Sequence, residues 1–148
     1  MVAKPDLPSN VVPASELNNI KIDQAYIGGC TGGKWEDFEA AAEVLRYNRI
    51  AKGVRLLIVP PTADIQKKMV REGLYDTFIE AGSVFCAPTC GACLGGHMGV
   101  LAPGEVAISS TNRNFRGRMG SPDSFVYLAS PKTVAASALA GYITGAAK

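Results

Sequence analysis

The chain has 148 residues, 47% of them hydrophobic and 19% charged, with a formal net charge of +2. That is enough apolar material for one core and too little positive charge to suggest a nucleic-acid partner. No apolar run is long enough to cross a membrane, and the opening "MVAKPDLPSN" lacks the apolar centre of a signal peptide, so a cytoplasmic location is expected.

Residues 1–20 carry Pro5, Pro8 and Pro13 with little periodicity, and read as an extended N-terminal arm or linker. "DQAYIGG" reads as a short strand ending in glycines, and "CTGG" as a turn. "KWEDFEAAAEVLRY" places Trp35, Phe38, Ala42 and Leu45 at helical spacing, with Glu36, Asp37 and Glu39 near the helix start, where the dipole favours them. "VRLLIVP" is a continuous apolar run, as in a strand buried on both faces. "PTADIQKKMVREG" predicts a helix with Thr62 as N-cap and Gly73 just beyond its end. "LYDTFIEAG" predicts a further helix stopped by Gly82. "SVFC", "EVAISS" and "FVYLA" read as three more strands, and "SPKTVAASALAGYI" as a helix capped by Ser130 with Pro131 in its first turn.

Strands alternating with helices predict an α/β fold over residues 21–148. The expected form is a three-layer α/β/α sandwich with a mostly parallel sheet. In such sheets ligands bind beyond the carboxyl ends of the strands. Cys30, the pair Cys90 and Cys93, and the basic loop "TNRNFRGRMGSPD" each follow a predicted strand, so all three fall on one sheet edge.

Four cysteines in a chain of this size, without a secretory signal, favour metal binding or redox chemistry over disulfides. Cys90 and Cys93 form a C-x-x-C, but loop residues separate them from the preceding strand, unlike a thioredoxin-type pair. Zinc held by Cys30, Cys86, Cys90 and Cys93 is a second reading. Cys86 ends a predicted strand, where a core position is equally open to it. Cys86, Cys90 and Cys93 also spell C-x-x-x-C-x-x-C, the radical S-adenosylmethionine spacing, but Ala92 stands where an aromatic residue is usual. A further grouping joins Cys30 to Cys90 and Cys93, since three thiolates from two loops can hold three irons of a [4Fe-4S] cube. The fourth iron is then open to a substrate oxygen as a Lewis acid.

Arg113, Arg116 and Arg118 lie within six residues. A solvated basic loop is the plain reading. Carboxylate recognition is the sharper one, because guanidinium pairs with carboxylate through two parallel hydrogen bonds, and Asn112 and Asn114 add amide donors. Iron beside guanidinium groups suits a small hydroxylated di- or tricarboxylate.

The motifs "KIDQAYIGGCTGG", "EDFEAAAEVL", "FIEAGSVFCAPTCGACLGG", "LAPGEVAISSTNRNFRGR" and "SPKTVAASALAGYI" resemble the aconitase superfamily, and most nearly its isopropylmalate-isomerising members. The resemblance covers nearly the whole chain and corresponds to the third, C-terminal α/β domain of the large subunit. It implies a [4Fe-4S] cluster on Cys30, Cys90 and Cys93, with one labile iron. It implies a substrate pocket lined by Asn112, Arg113 and Arg118, while Cys86 matches no ligand and Arg116 falls at a variable position. The implied activity is a hydro-lyase that interconverts 2-isopropylmalate and 3-isopropylmalate by dehydration and rehydration. The implied partners are the remaining large-subunit domains and a separate small swivelling subunit, without which the chain alone is expected to be inactive.

Two positions depart from that pattern. Gly32 stands where the family usually has Asn, which leaves homoaconitate and 2,3-dimethylmalate dehydratases as alternatives on the same scaffold. His97 follows the C-x-x-C and reads as a surface group. A non-catalytic metal- or cluster-binding module, structural or redox-sensing, is the alternative of a different class.

Overall fold

Each apolar run bounded by turn residues becomes a strand, and each amphipathic run a helix. The computed structural model describes residues 1–146. β1 (Val2–Ala3) and β2 (Val11–Val12) lead into a 3-10 turn at Ala14–Leu17. Then follow β3 (Gln24–Gly28), α1 (Trp35–Leu45), β4 (Arg55–Val59), α2 (Ala63–Arg71), α3 (Leu74–Glu80) and β5 (Val84–Phe85). A 3-10 turn at Gly91–Leu94 precedes β6 (Val106–Ser109), β7 (Phe125–Ala129) and α4 (Pro131–Ala140).

The capping expectations hold. The Thr62 hydroxyl accepts from the Ile65 amide at 3.2 Å, and Ser130 accepts from Thr133 at 3.4 Å. Gly73 has a φ of 77° directly after the last residue of the α2 cap. α1 starts differently: Asp37 reaches back to accept from the Lys34 amide at 3.1 Å.

The sheet order is β2-β1-β7-β6-β3-β4-β5. β7, β6, β3, β4 and β5 run parallel, and β1 and β2 join antiparallel at one edge. Residues 1–20 contribute two short strands to the sheet and part of its core. Val2 pairs with Ala129, and Ala14 and Leu17 are buried in the main core.

The chain grows outward from β3 to β4 to β5, then returns to place β6 on the other side of β3. Right-handed crossovers put connections of opposite travel on opposite faces. One face therefore receives the helices: Phe38, Leu45, Met69, Phe78, Val134 and Ala138 pack with Ala25, Ile27, Leu56 and Ile58. Full burial of such side chains contributes about 1.5–3 kcal/mol each. The other face carries Tyr26, Leu57, Val59 and Ala107, and packs against Cys86, Ala92, Leu101 and Met119. There the third layer is made of loops, including the cysteine loop itself. The reversal of strand order between β3 and β6 is the topological switch point, where open α/β sheets bind ligands.

Candidate functional site

Cys30 sits in the turn after β3, at the switch point, and is exposed. The turn is built on glycine for a specific reason. Gly28 has a φ of 124°, and a Cβ there would lie 2.0 Å from the Val59 carbonyl oxygen. A Cβ on Gly32 would lie 2.1 Å from the Ser110 carbonyl oxygen. Ser110, just past β6, closes the turn from the other side: its hydroxyl accepts from the Gly28 amide at 3.1 Å and donates to the Gly32 carbonyl at 3.3 Å.

The second loop leaves β5 and crosses back over the sheet. Cys86 is buried, 3% exposed, and packs in the loop-side core, where burial pushes its thiol pKa up. Cys90 is exposed and Cys93 half-buried. The 3-10 turn at Gly91–Leu94 brings the two pair members round, with the Cys93 amide donating to the Cys90 carbonyl at 3.2 Å. Beneath them lies Tyr26 of β3. Its hydroxyl is held far above the ordinary tyrosine pKa, by burial first and then by the Cys93, Cys86, Cys90 and Cys30 thiols. A Cβ on Gly29 would lie 3.4 Å from the Tyr26 hydroxyl and one on Gly91 2.9 Å from it, so both cysteine loops meet over one tyrosine.

Among the described residues, no three Cys, His, Asp or Glu side chains converge as ligands of one metal ion. A cubane cluster makes another demand. Each thiolate binds its own iron, so the sulfurs stand apart around the core. Three free thiols, exposed Cys30 and Cys90 and half-buried Cys93, fit that donor set, and buried Cys86 stands aside from it.

The basic loop divides into two groups. Asn114 is 1% exposed; its side-chain amide donates to the Lys4 carbonyl at 2.7 Å, and its backbone carbonyl accepts from the Asp6 amide at 3.0 Å. Arg116 donates to the Pro122 carbonyl at 2.8 Å and pairs with Asp123 at 3.0 Å. These two hold the arm and the loop together. Asn112 and Arg113 stand exposed. Arg118 is half-buried, lies 5.3 Å from the Phe115 ring centroid, and has a buried Nε with no partner among the described residues. The Arg118 backbone carbonyl packs within 3.2 Å of where a Gly95 Cβ would sit, so the backbones of the two loops touch here. An unpaired buried donor is costly unless something accepts from it, which an anion at this edge would do.

Sequence reasoning took Asn114 as a possible ligand donor, and the structure spends it on the arm. It missed Tyr26, Gln24 and Ser110, which tie the loops to the sheet. Tyr26 and Gln24 fall in "DQAYIGG", which reads only as a short strand. His97 is exposed with a φ of 69°.

No helix among the described residues is long and apolar enough to cross a membrane. The aconitase family (aconitate hydratase) matches residues 3–141. A protein called 3-isopropylmalate dehydratase large subunit from Halothermothrix orenii is 56% identical over 142 residues, covering 96% of this chain and 34% of that protein. The large subunit of the same name from Nitratidesulfovibrio vulgaris is 54% identical over 143 residues, and 3-isopropylmalate dehydratase large subunit 1 from Pyrococcus abyssi 56% over 145. Each comparison covers 97% of this chain and 34% of the relative. The chain thus spans about a third of the length of the curated relatives it matches. With glycine-built cysteine turns at a switch point and a family match over nearly its whole length, the chain belongs to the aconitase family.

Proposed function

We propose that this chain is the cluster-bearing part of a hydro-lyase of the 3-isopropylmalate dehydratase type. Cys30, Cys90 and Cys93 hold a [4Fe-4S] cluster in this reading, and Asn112, Arg113 and Arg118 bind a hydroxylated dicarboxylate beside it. The observation that carries the reading is the meeting of the two free-thiol loops at the switch point, with the loop of Arg118, whose buried Nε has no partner among the described residues, packed against the Cys93-bearing turn at Gly95.

The residues divide the work. A bound cluster of this kind, with one iron free of protein ligands, supplies Lewis acidity toward a hydroxyl group. Arg113, exposed at the edge, and Arg118, half-buried below it, offer guanidinium forks to two carboxylates and so orient the substrate. Asn112 donates an amide hydrogen bond to a carboxylate or hydroxyl oxygen. The hydroxyls at the end of β6 are engaged and not free to act as a base. Ser110 is bound to the Cys30 turn, Ser109 and Thr111 bond each other at 2.9 Å, and His97 is an exposed loop residue. In this reading the proton on carbon is taken by a group from the remainder of the enzyme, in the other domains or the small subunit. Exposed Leu94, Met98, Val100 and Phe115 line the rim that this remainder would cover.

Anaerobic reconstitution tests the reading. Uptake of iron and sulfide by the chain, abolished by Cys30→Ala, Cys90→Ala or Cys93→Ala and retained in Cys86→Ala, is expected. Stoichiometric zinc dependent on all four sulfurs would instead favour a structural module.

A further inference from the structure

β3 does more than end at Cys30. Two side chains on its loop-side face, two residues apart as strand geometry requires, reach the cysteine loop at both of its ends. The Tyr26 hydroxyl donates to the Cys90 carbonyl at 2.9 Å. The Gln24 amide donates to the Gly99 carbonyl at 2.7 Å. Gln24 is itself held: its oxygen accepts from Arg55 Nε at 3.2 Å, and Arg55 pairs with Glu105 at 2.8 Å. Cys93 lies between the two anchored carbonyls.

Tyr26 also sets the gap between the loops. A Cβ on Gly29, which precedes Cys30, would lie 3.4 Å from its hydroxyl oxygen, and one on Gly91, which follows Cys90, 2.9 Å from it. The hydroxyl is wedged between the two cysteine-bearing backbones. Tyr26 is fully buried, so its ring cannot swing away without opening the sheet face.

We infer that Tyr26 is a positioning residue for the iron site, holding residues 90–93 at a fixed separation from the Cys30 turn, with Gln24 fixing the far end of the same loop. The inference rests on the cluster reading above and deepens it. Thiolates on a free loop must be ordered when metal binds, and that lost entropy weakens binding. A loop already pinned through its backbone carbonyls meets the metal with less left to lose. The pinning acts through the Cys90–Gly91 peptide, which fixes where the backbone of Cys90 sits.

Tyr26→Phe is the test, because it removes one oxygen and keeps the ring. Ser137→Ala serves as control; it deletes a buried hydroxyl of α4 that donates to the Thr133 carbonyl at 2.8 Å, on the helical face. In the apo chain, amide exchange over Gly91–Leu94 is expected to rise several-fold in Tyr26→Phe and stay unchanged in Ser137→Ala. In the reconstituted chain, iron release to a chelator, followed by the loss of visible absorption, is expected to speed about tenfold in Tyr26→Phe only. The electron paramagnetic resonance line shape of the reduced cluster should shift with it. Release at the unaltered rate, or equal acceleration in Ser137→Ala, overturns the inference while leaving the cluster reading intact. An unaltered chain that takes up no iron overturns the cluster reading, and this inference with it.

Discussion

Neighbouring cysteines of this chain answer to different forces. Cys86 fills space in the loop-side core, so Cys86→Ala should cost about 1–2 kcal/mol in urea unfolding. Cys90 fills none, and Cys90→Ala should leave apo stability within about 0.5 kcal/mol. The same division runs through the basic loop. Asn114→Ala frees the Lys4 carbonyl and should cost about 1–3 kcal/mol, whereas Arg116→Ala breaks an exposed pair worth about 0–1 kcal/mol. Spacing alone could not separate these residues. Asn112, Arg113, Asn114 and Arg116 form one polar run, and their roles differ only through partners more than a hundred residues away or across a turn. The thiols were easier to sort, because a strand-end cysteine before a glycine-rich loop already suggested a core position.

Elements with local causes could be read directly from the chain. The apolar runs of β3, β4 and β7, the Thr62 and Ser130 caps, and the glycine after α2 each act within a few residues. β1 and β2 could not, since two-residue strands carry no periodicity and their pairing with β7 depends on contacts across the whole chain. The turn after β3 was legible as a turn, but its tolerance was not. Gly28→Ala must place a Cβ 2.0 Å from a carbonyl oxygen at a φ of 124°, so a loss above about 3 kcal/mol is expected in denaturant unfolding. Gly53, also at positive φ but with open space around its Cβ position, should lose only about 1–2 kcal/mol on the same change.

At the level of the whole molecule, one polar chain links sheet, loop and helix-free face: Glu105 to Arg55 to Gln24 to the Gly99 carbonyl. The Arg55 hydrogen bond holds the Glu105 carboxyl below its ordinary value of 4.5. A lowered carboxylate pKa adds stability that is fully present above the unfolded value and lost as pH falls through the folded one. Stability of the chain should therefore drop as pH falls below about 4.5, and Arg55→Met should flatten that part of the profile measured by thermal unfolding. Activity belongs to the same scale. On the proposed reading the chain alone should show no dehydration of 3-isopropylmalate, because the base belongs to the remainder of the enzyme; turnover by the purified chain would count against that division of labour.

The loop that carries the thiols is also the lid on half of the sheet, anchored by Ala92 and Leu101, with Met119 of the basic loop packed in the same core. An ordinary metal-binding tail can fall slack once its metal leaves. Here slackening would bare Tyr26, Leu57 and Val59 to water, so the hydrophobic effect keeps the empty ligands at their post. On the cluster reading, loss of iron leaves a folded chain with its ligands in place, so rebuilding from iron, sulfide and a reductant needs no refolding step.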